Sequence, residues 1–175
     1  MDNYAIKFKG YLNDLAGRNP SPGGGSTLAA AVCIGASLIE KSLRFSVPPG
    51  DKKFRSPLSR IQKIRTSVIP LIDLDGKVFS VLLRSRGPQR KKLLAQSERI
   101  MIDTGRAAKT LLSLTKVVES GVKKCIISDF LIGRDYLLVA LSGVVLNLEA
   151  NAHIFGRKSS AIRMFKTILR QWQKS

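Results

Sequence analysis

The sequence predicts an all-α fold, a bundle of about five to six helices. Two observations carry that expectation. Hydrophobic residues make up 44% of the 175 but aromatic residues only 6%, so the core must be built from Leu, Ile, Val and Ala, which suit packed helices better than a small sandwich. Apolar residues also recur at alternating spacings of three and four between clusters of turn formers, the period of an amphipathic helix. No repeat or linker divides the chain, so residues 1–175 are read as one domain.

Tyr4 to Leu15 sets Ile6 or Phe8, Tyr11, Leu12 and Leu15 on one side and stops at Gly17. Turn formers then crowd Asn19-Pro20-Ser21-Pro22-Gly23-Gly24-Gly25-Ser26, where Ser26 is expected to cap a helix through Ala29, Val32, Ala36 and Ile39. That helix is apolar on every side and belongs at the centre of the bundle. Pro48 and Pro49 break the chain before a long stripe of Ile61, Ile64, Val68, Leu71, Val78 and Leu82, with Pro70 read as a kink site. After Arg84 to Pro88, Leu93, Ile100, Ala107, Leu111, Leu114 and Val118 share a side. Ser128 or Asp129 is expected to cap the next helix, which carries Leu137, Leu141, Val144, Leu148 and Phe155 to Gly156. The last helix, Ser159 to Gln173, opposes Ile162, Phe165, Ile168, Leu169 and Trp172 to Arg163, Lys166, Arg170 and Lys174.

Composition narrows the chemistry. Cys33 and Cys125 lie far apart with no Cys-x-x-Cys pair, and His153 is the single histidine, so no disulfide framework or zinc site is expected. A reducing cytoplasm is the simple reading. The longest uncharged apolar run, Thr27 to Ile39, falls short of the ~20 residues a membrane span needs, and the start has no uninterrupted apolar region, so neither crossing nor export is expected. The formal net charge of +18 points to an anionic partner, either a nucleic acid or a small molecule with several carboxylates.

Three features carry the candidate chemistry. Asp75 falls where the apolar stripe calls for a hydrophobic side chain, whereas Asp73 faces the other side; partial burial would raise the Asp75 pKa and fit it for proton transfer. The bland alternative is an acid paired with a nearby Lys or Arg. The Gly23 to Ser26 loop offers backbone N–H groups at a helix start, or merely connects two helices. Asn147 and Asn151, one turn apart on an apolar stripe, could orient a ligand or bond to another helix.

The Asn19 to Ser26 loop with its Ala-rich helix resembles the opening of the formiminotetrahydrofolate cyclodeaminase / methenyltetrahydrofolate cyclohydrolase family. Leu71-Ile72-Asp73-Leu74-Asp75-Gly76-Lys77-Val78-Phe79, and Ser128-Asp129 followed by Asn147 and Asn151, resemble later family segments in the same order. Lys41 stands where the family pattern has an apolar residue, and Gly76 where it has Ala. The resemblance implies an up-and-down bundle, a homodimer, and one-carbon chemistry on a tetrahydrofolate derivative, polyglutamylated or not. It also implies Asp75 and Asp129 as catalytic residues, with Ser21, Pro22, Gly23, Gly24, Gly25, Ser26, Asn147 and Asn151 at the substrate. Neither a metal nor a cofactor beyond the folate substrate is expected.

The basic groups Lys52, Lys53, Arg55, Arg60, Lys63 and Arg65, and Arg84, Arg86, Arg90, Lys91 and Lys92, suit a glutamate tail or a solvated face. Their excess is larger than one tail requires. The basic face Arg163, Lys166, Arg170 and Lys174 of the last helix leaves a second expectation open: a catalytically inactive basic module that binds nucleic acid or an acidic partner, although no nucleic-acid motif or aromatic platform is present.

Overall fold

In the computed structural model, which describes residues 3–156 and 159–172, the chain forms six α-helices and no strand among the described residues. They are α1 (Tyr4–Ala16), α2 (Gly24–Ser46), α3 (Lys52–Arg84), α4 (Gly87–Val118), α5 (Ile127–Phe155) and α6 (Ala161–Trp172). Two 3-10 turns, Glu119–Gly121 and Lys124–Ile126, link α4 to α5. The all-helical bundle expected from the periodicity is the observed fold. Gln173 and Lys174, assigned to the last helix, lie outside the described residues.

The aliphatic composition finds its use in α2. This helix packs against α3, α4 and α5, and Ala29, Val32, Ala36 and Leu43 are fully buried along it. Two glycines make the closest crossing possible: a methyl on Gly35 would stand 2.6 Å from the Gly133 carbonyl oxygen, and one on Gly133 would stand 2.9 Å from the Gly35 carbonyl. Neither clash can relax by rotating a side chain, because both obstacles are backbone. By length and composition α2 and the segment Lys124–Phe155 would also span a bilayer, but such apolar runs are what central helices of a bundle require.

Three expectations change. Gly23, not Ser26, stands at the N-cap of α2; the Gly-rich loop enters the helix earlier, and Ser26 is buried inside the first turn with its Oγ 3.2 Å from Tyr11 Oη. Ile126 precedes α5 without a side-chain cap, so neither Ser128 nor Asp129 caps it; the preceding 3-10 turn already starts the coil. Pro70 lies within an uninterrupted α3, as does Pro57. Each lacks the N–H that would reach the carbonyl four residues earlier, that of Lys53 for Pro57 and of Thr66 for Pro70, so each leaves one gap in the ladder of α3.

The end of the bundle formed by the C-terminus of α2 is held by polar contacts. Glu40, with its side chain 9% exposed, accepts from Arg44 Nε at 2.9 Å and Arg65 Nε at 3.1 Å, so the buried charge is compensated from both α2 and α3. Ser46 Oγ donates to the Ser42 carbonyl and accepts the Lys123 N–H at 2.9 Å, pinning the link into α5.

The helix crossing yields a stability test. Gly35→Ala is expected to lower unfolding stability by about 1–3 kcal/mol, because overpacking against backbone forces the helices apart. Denaturant unfolding measures it; exposed Ser37→Ala serves as the comparison and should shift far less. A Gly35→Ala protein as stable as wild type would contradict the close crossing.

Candidate functional site

The sequence features singled out on separate helices meet at the N-terminal end of α2. Asp75 reaches from the C-terminal third of α3 to lie directly over Gly25: a methyl there would overlap the Asp75 carboxyl group. One residue along, a side chain on Gly76 would overlap Ser21 Oγ, so the loop before α2 presses on α3 at two points. This contact explains why Gly76 rather than Ala follows the aspartate. Pro22 lies in the same loop and is joined to Ser21 by a cis peptide bond.

The electrostatics of Asp75 follow from that placement. Burial pushes its carboxyl pKa above the ordinary aspartate range, and the Ser26 backbone N–H, which donates to the carboxylate, partly offsets the rise. The positive end of α2 acts in the same direction as that N–H. Asp75 remains part-exposed and no salt bridge neutralises it among the described residues, so the ion-paired alternative does not describe this acid. Asp73 is exposed, as its position off the stripe predicts.

The asparagines enter from α5. A methyl on Gly24 would lie 3.9 Å from Asn147 Nδ2, an ordinary contact distance, and Asn151 Nδ2 donates to Asn147 Oδ1 at 3.1 Å. The pair is therefore a single half-buried unit facing the start of α2. Beside it a cleft of about 30 Å³, the room of roughly one water, is lined by Leu94, Glu98, Leu148, Asn151, Phe155 and Ser159. Ser159 Oγ is buried in that lining without a protein partner.

Ser21, Gly24, Gly25, Ser26, Asp75 and Asn147 are thus brought together, with Pro22 and Gly23 in the loop that carries them. Asp129 does not join them within the chain. Eighteen residues separate it from Asn147, ~27 Å along a helix, and its carboxylate accepts from Lys41 Nζ at 2.6 Å. That pair also accounts for Lys41, whose exposed amine ties α2 to the first turn of α5. Tyr11, which the sequence did not mark, joins the site's rim through contacts of 3.2 Å to Ser26 Oγ and 3.4 Å to Thr27 Oγ1. Its only sequence signal was a place on the apolar side of α1.

The formiminotransferase-cyclodeaminase family model matches residues 7–164, which include all of these positions. The chain belongs to that family. Its members are folate-metabolising enzymes. The fold is similar to the crystal structure of formiminotetrahydrofolate cyclodeaminase from Thermotoga maritima, with a TM-score of 0.74 and 19% sequence identity over 93% of this chain and 84% of that one. Comparison with curated protein sequences gives no match.

A pH titration tests the site. The Asp75 carboxyl, followed by carbon NMR, is expected to titrate above the ordinary aspartate range, and Gly25→Ala should lower its midpoint by pushing it toward water. Because the folded state holds this proton more tightly than the unfolded chain, the stabilisation is full below the ordinary aspartate pKa and is lost as pH rises through the raised value. Asp75→Asn should therefore be no less stable than wild type at neutral pH; a large destabilisation would contradict the assigned desolvation.

Proposed function

We propose that this protein processes a one-carbon unit on tetrahydrofolate, as a methenyltetrahydrofolate cyclohydrolase or a formiminotetrahydrofolate cyclodeaminase, with Asp75 as its acid/base. The observation that carries the reading is the Asp75 carboxyl held over Gly25, part-buried, with its pKa raised and the Asn147–Asn151 pair across the start of α2. A carboxyl group tuned upward in this way transfers protons near neutrality more effectively than an ordinary aspartate.

In the hydrolytic direction Asp75 takes a proton from water as the oxygen bonds to the methenyl carbon. It then returns the proton to the ring nitrogen as the carbon–nitrogen bond opens, while the remaining hydroxyl proton passes to solvent, leaving the neutral 10-formyl compound. In the deaminating direction the second folate nitrogen attacks the formimino carbon and passes its proton to the former imine nitrogen, and Asp75 delivers the further proton that lets ammonia depart as its carbon–nitrogen bond breaks. Asn147 and Asn151 hold the pterin edge with their amide donors and acceptors. The N–H groups of the Gly23 to Ser26 loop face the developing charge. Within one chain Asp129 lies away from this cluster and is held by Lys41.

The reading includes a homodimer in a reducing cytoplasm, with the substrate near the subunit contact. Support for a second copy comes from apolar surface left open on the two helices that bear Tyr11 and Asn147: Tyr4 is 73% and Ile6 69% exposed on α1, and Val139 64% and Leu146 65% exposed on α5. Two free cysteines suit the compartment. Of the two basic groups, the one at the start of α4 suits a glutamate tail, since Arg90 lies 5.4 Å from the Phe155 ring, one turn beyond Asn151.

A side-by-side assay of methenyl- and formiminotetrahydrofolate tests the reading. The purified protein should accelerate one of them over buffer, and Asp75→Asn should lose about 10²-fold or more of that acceleration while keeping its helicity. If Asp75 acts as the base, the rate falls as pH drops through its raised pKa; if it acts as the acid, the rate falls as pH rises through it. A wild-type protein no faster than buffer on either substrate would remove the proposal.

A further inference from the structure

The positive charge at the start of α3 stands apart from the folate site. Lys52, Lys53, Arg55, Arg60, Lys63 and Arg65 follow one another with no acid until Asp73. Lys63 is ~18 Å and Lys52 ~35 Å along the helix from Asp75. The two basic groups of the sequence therefore sit at opposite ends of α3, and one glutamate tail cannot engage both.

These residues form a surface rather than scattered charges. Lys52, Arg55, Ser56, Ser59, Arg60 and Lys63 line one open groove of about 450 Å³, and all six are exposed. Arg55 and Ser59 are shared with a second groove of about 510 Å³, whose wall includes Val47, Pro48, Pro49 and Leu58. The acids close by are already engaged: Asp51, on the second groove, accepts the Lys53 N–H at 2.8 Å as helix cap, and Glu40 is held by Arg44 and Arg65. Among the described residues Lys52, Arg55, Arg60 and Lys63 meet no acid within salt-bridge distance.

We infer that this double groove binds single-stranded nucleic acid, a function separate from the folate site at the other end of the bundle. A row of cations ~17 Å long calls for a ligand with repeated charges rather than one small anion. The wall of two prolines, a valine and a leucine next to that row calls for flat, weakly polar groups between the charges. Unpaired bases on a phosphate backbone supply both, whereas a duplex keeps its bases stacked inside and a run of acidic residues such as polyglutamate offers no ring to the apolar wall. Ser56 and Ser59 add hydroxyl donors to phosphate along the same line.

The test is fluorescence anisotropy of the full chain with a twelve-residue oligouridylate, the matching oligothymidylate, a duplex of equal length and polyglutamate. Either single strand should bind at least tenfold more tightly than the duplex or the polyglutamate, and the ratio of the two strands identifies the preferred sugar. Engaging about four phosphates implies a loss of about fifty-fold in affinity between 50 and 200 mM salt. Arg55→Glu with Arg60→Glu and Lys63→Glu should weaken binding at least tenfold. The equally charged change Lys109→Glu with Arg163→Glu and Arg170→Glu should not. Arg55→Gln with Arg60→Gln gives the same direction should the acidic triple fail to fold. Folate turnover is unaffected by either set, so the two proposals fail separately. No binding at 50 mM salt, equal losses in the two triple variants, or a preference for duplex or polyglutamate would overturn the inference.

Discussion

The carboxyl group of Asp75 occupies the space that a side chain on Gly25 would need, and this exchange of volume ties the start of α2 to the C-terminal third of α3. Everything else at that end of the bundle is arranged around it. Ser21 fills the corresponding gap over Gly76, which brings the loop down onto α3, and Asn147 comes from α5 to ordinary contact distance of the Gly24 position. Glycine serves here through the side chain it lacks rather than through unusual backbone angles. The result is an acid that is shielded from water yet meets a backbone N–H, with its pKa set by a balance in which burial dominates.

The same device works deeper in the bundle. Gly35 and Gly133 let α2 and α5 cross with their backbones nearly touching, which fixes how far the two helices can slide and therefore where Asn147 arrives. Fold and site are thus one packing problem, because the helix that carries the Gly-rich loop is also the one around which the others are laid. The Glu40 cluster secures the opposite end of α2, so both ends of the central helix are held.

Helix identities were legible in the sequence because a stripe of aliphatic residues at three-and-four spacing has few other interpretations. Asp75 was legible for the same reason, as a charged residue interrupting such a stripe. Its contact with Gly25 was not, since complementarity of volume between residues fifty positions apart leaves no trace in periodicity. Caps were misread at Ser26 and at Ser128-Asp129 because capping preferences act locally, while a glycine loop and a 3-10 turn started those helices earlier. The separation of Asp129 from the site could have been seen in advance from the rise of a helix alone, as could the placing of the two basic groups at opposite ends of α3.

The chain therefore carries an acid site at one end and a row of unneutralised cations at the other, joined by helices rather than by a shared cavity. The first is the core of the account. A crystal structure with 5-formyltetrahydrofolate, a stable reduced folate, tests it most directly. The pterin should lie against the Gly23 to Ser26 loop with Asp75 and Asn147 within hydrogen-bond distance. A folate bound elsewhere on the bundle, with the Asp75 carboxyl still resting untouched on Gly25, would contradict it.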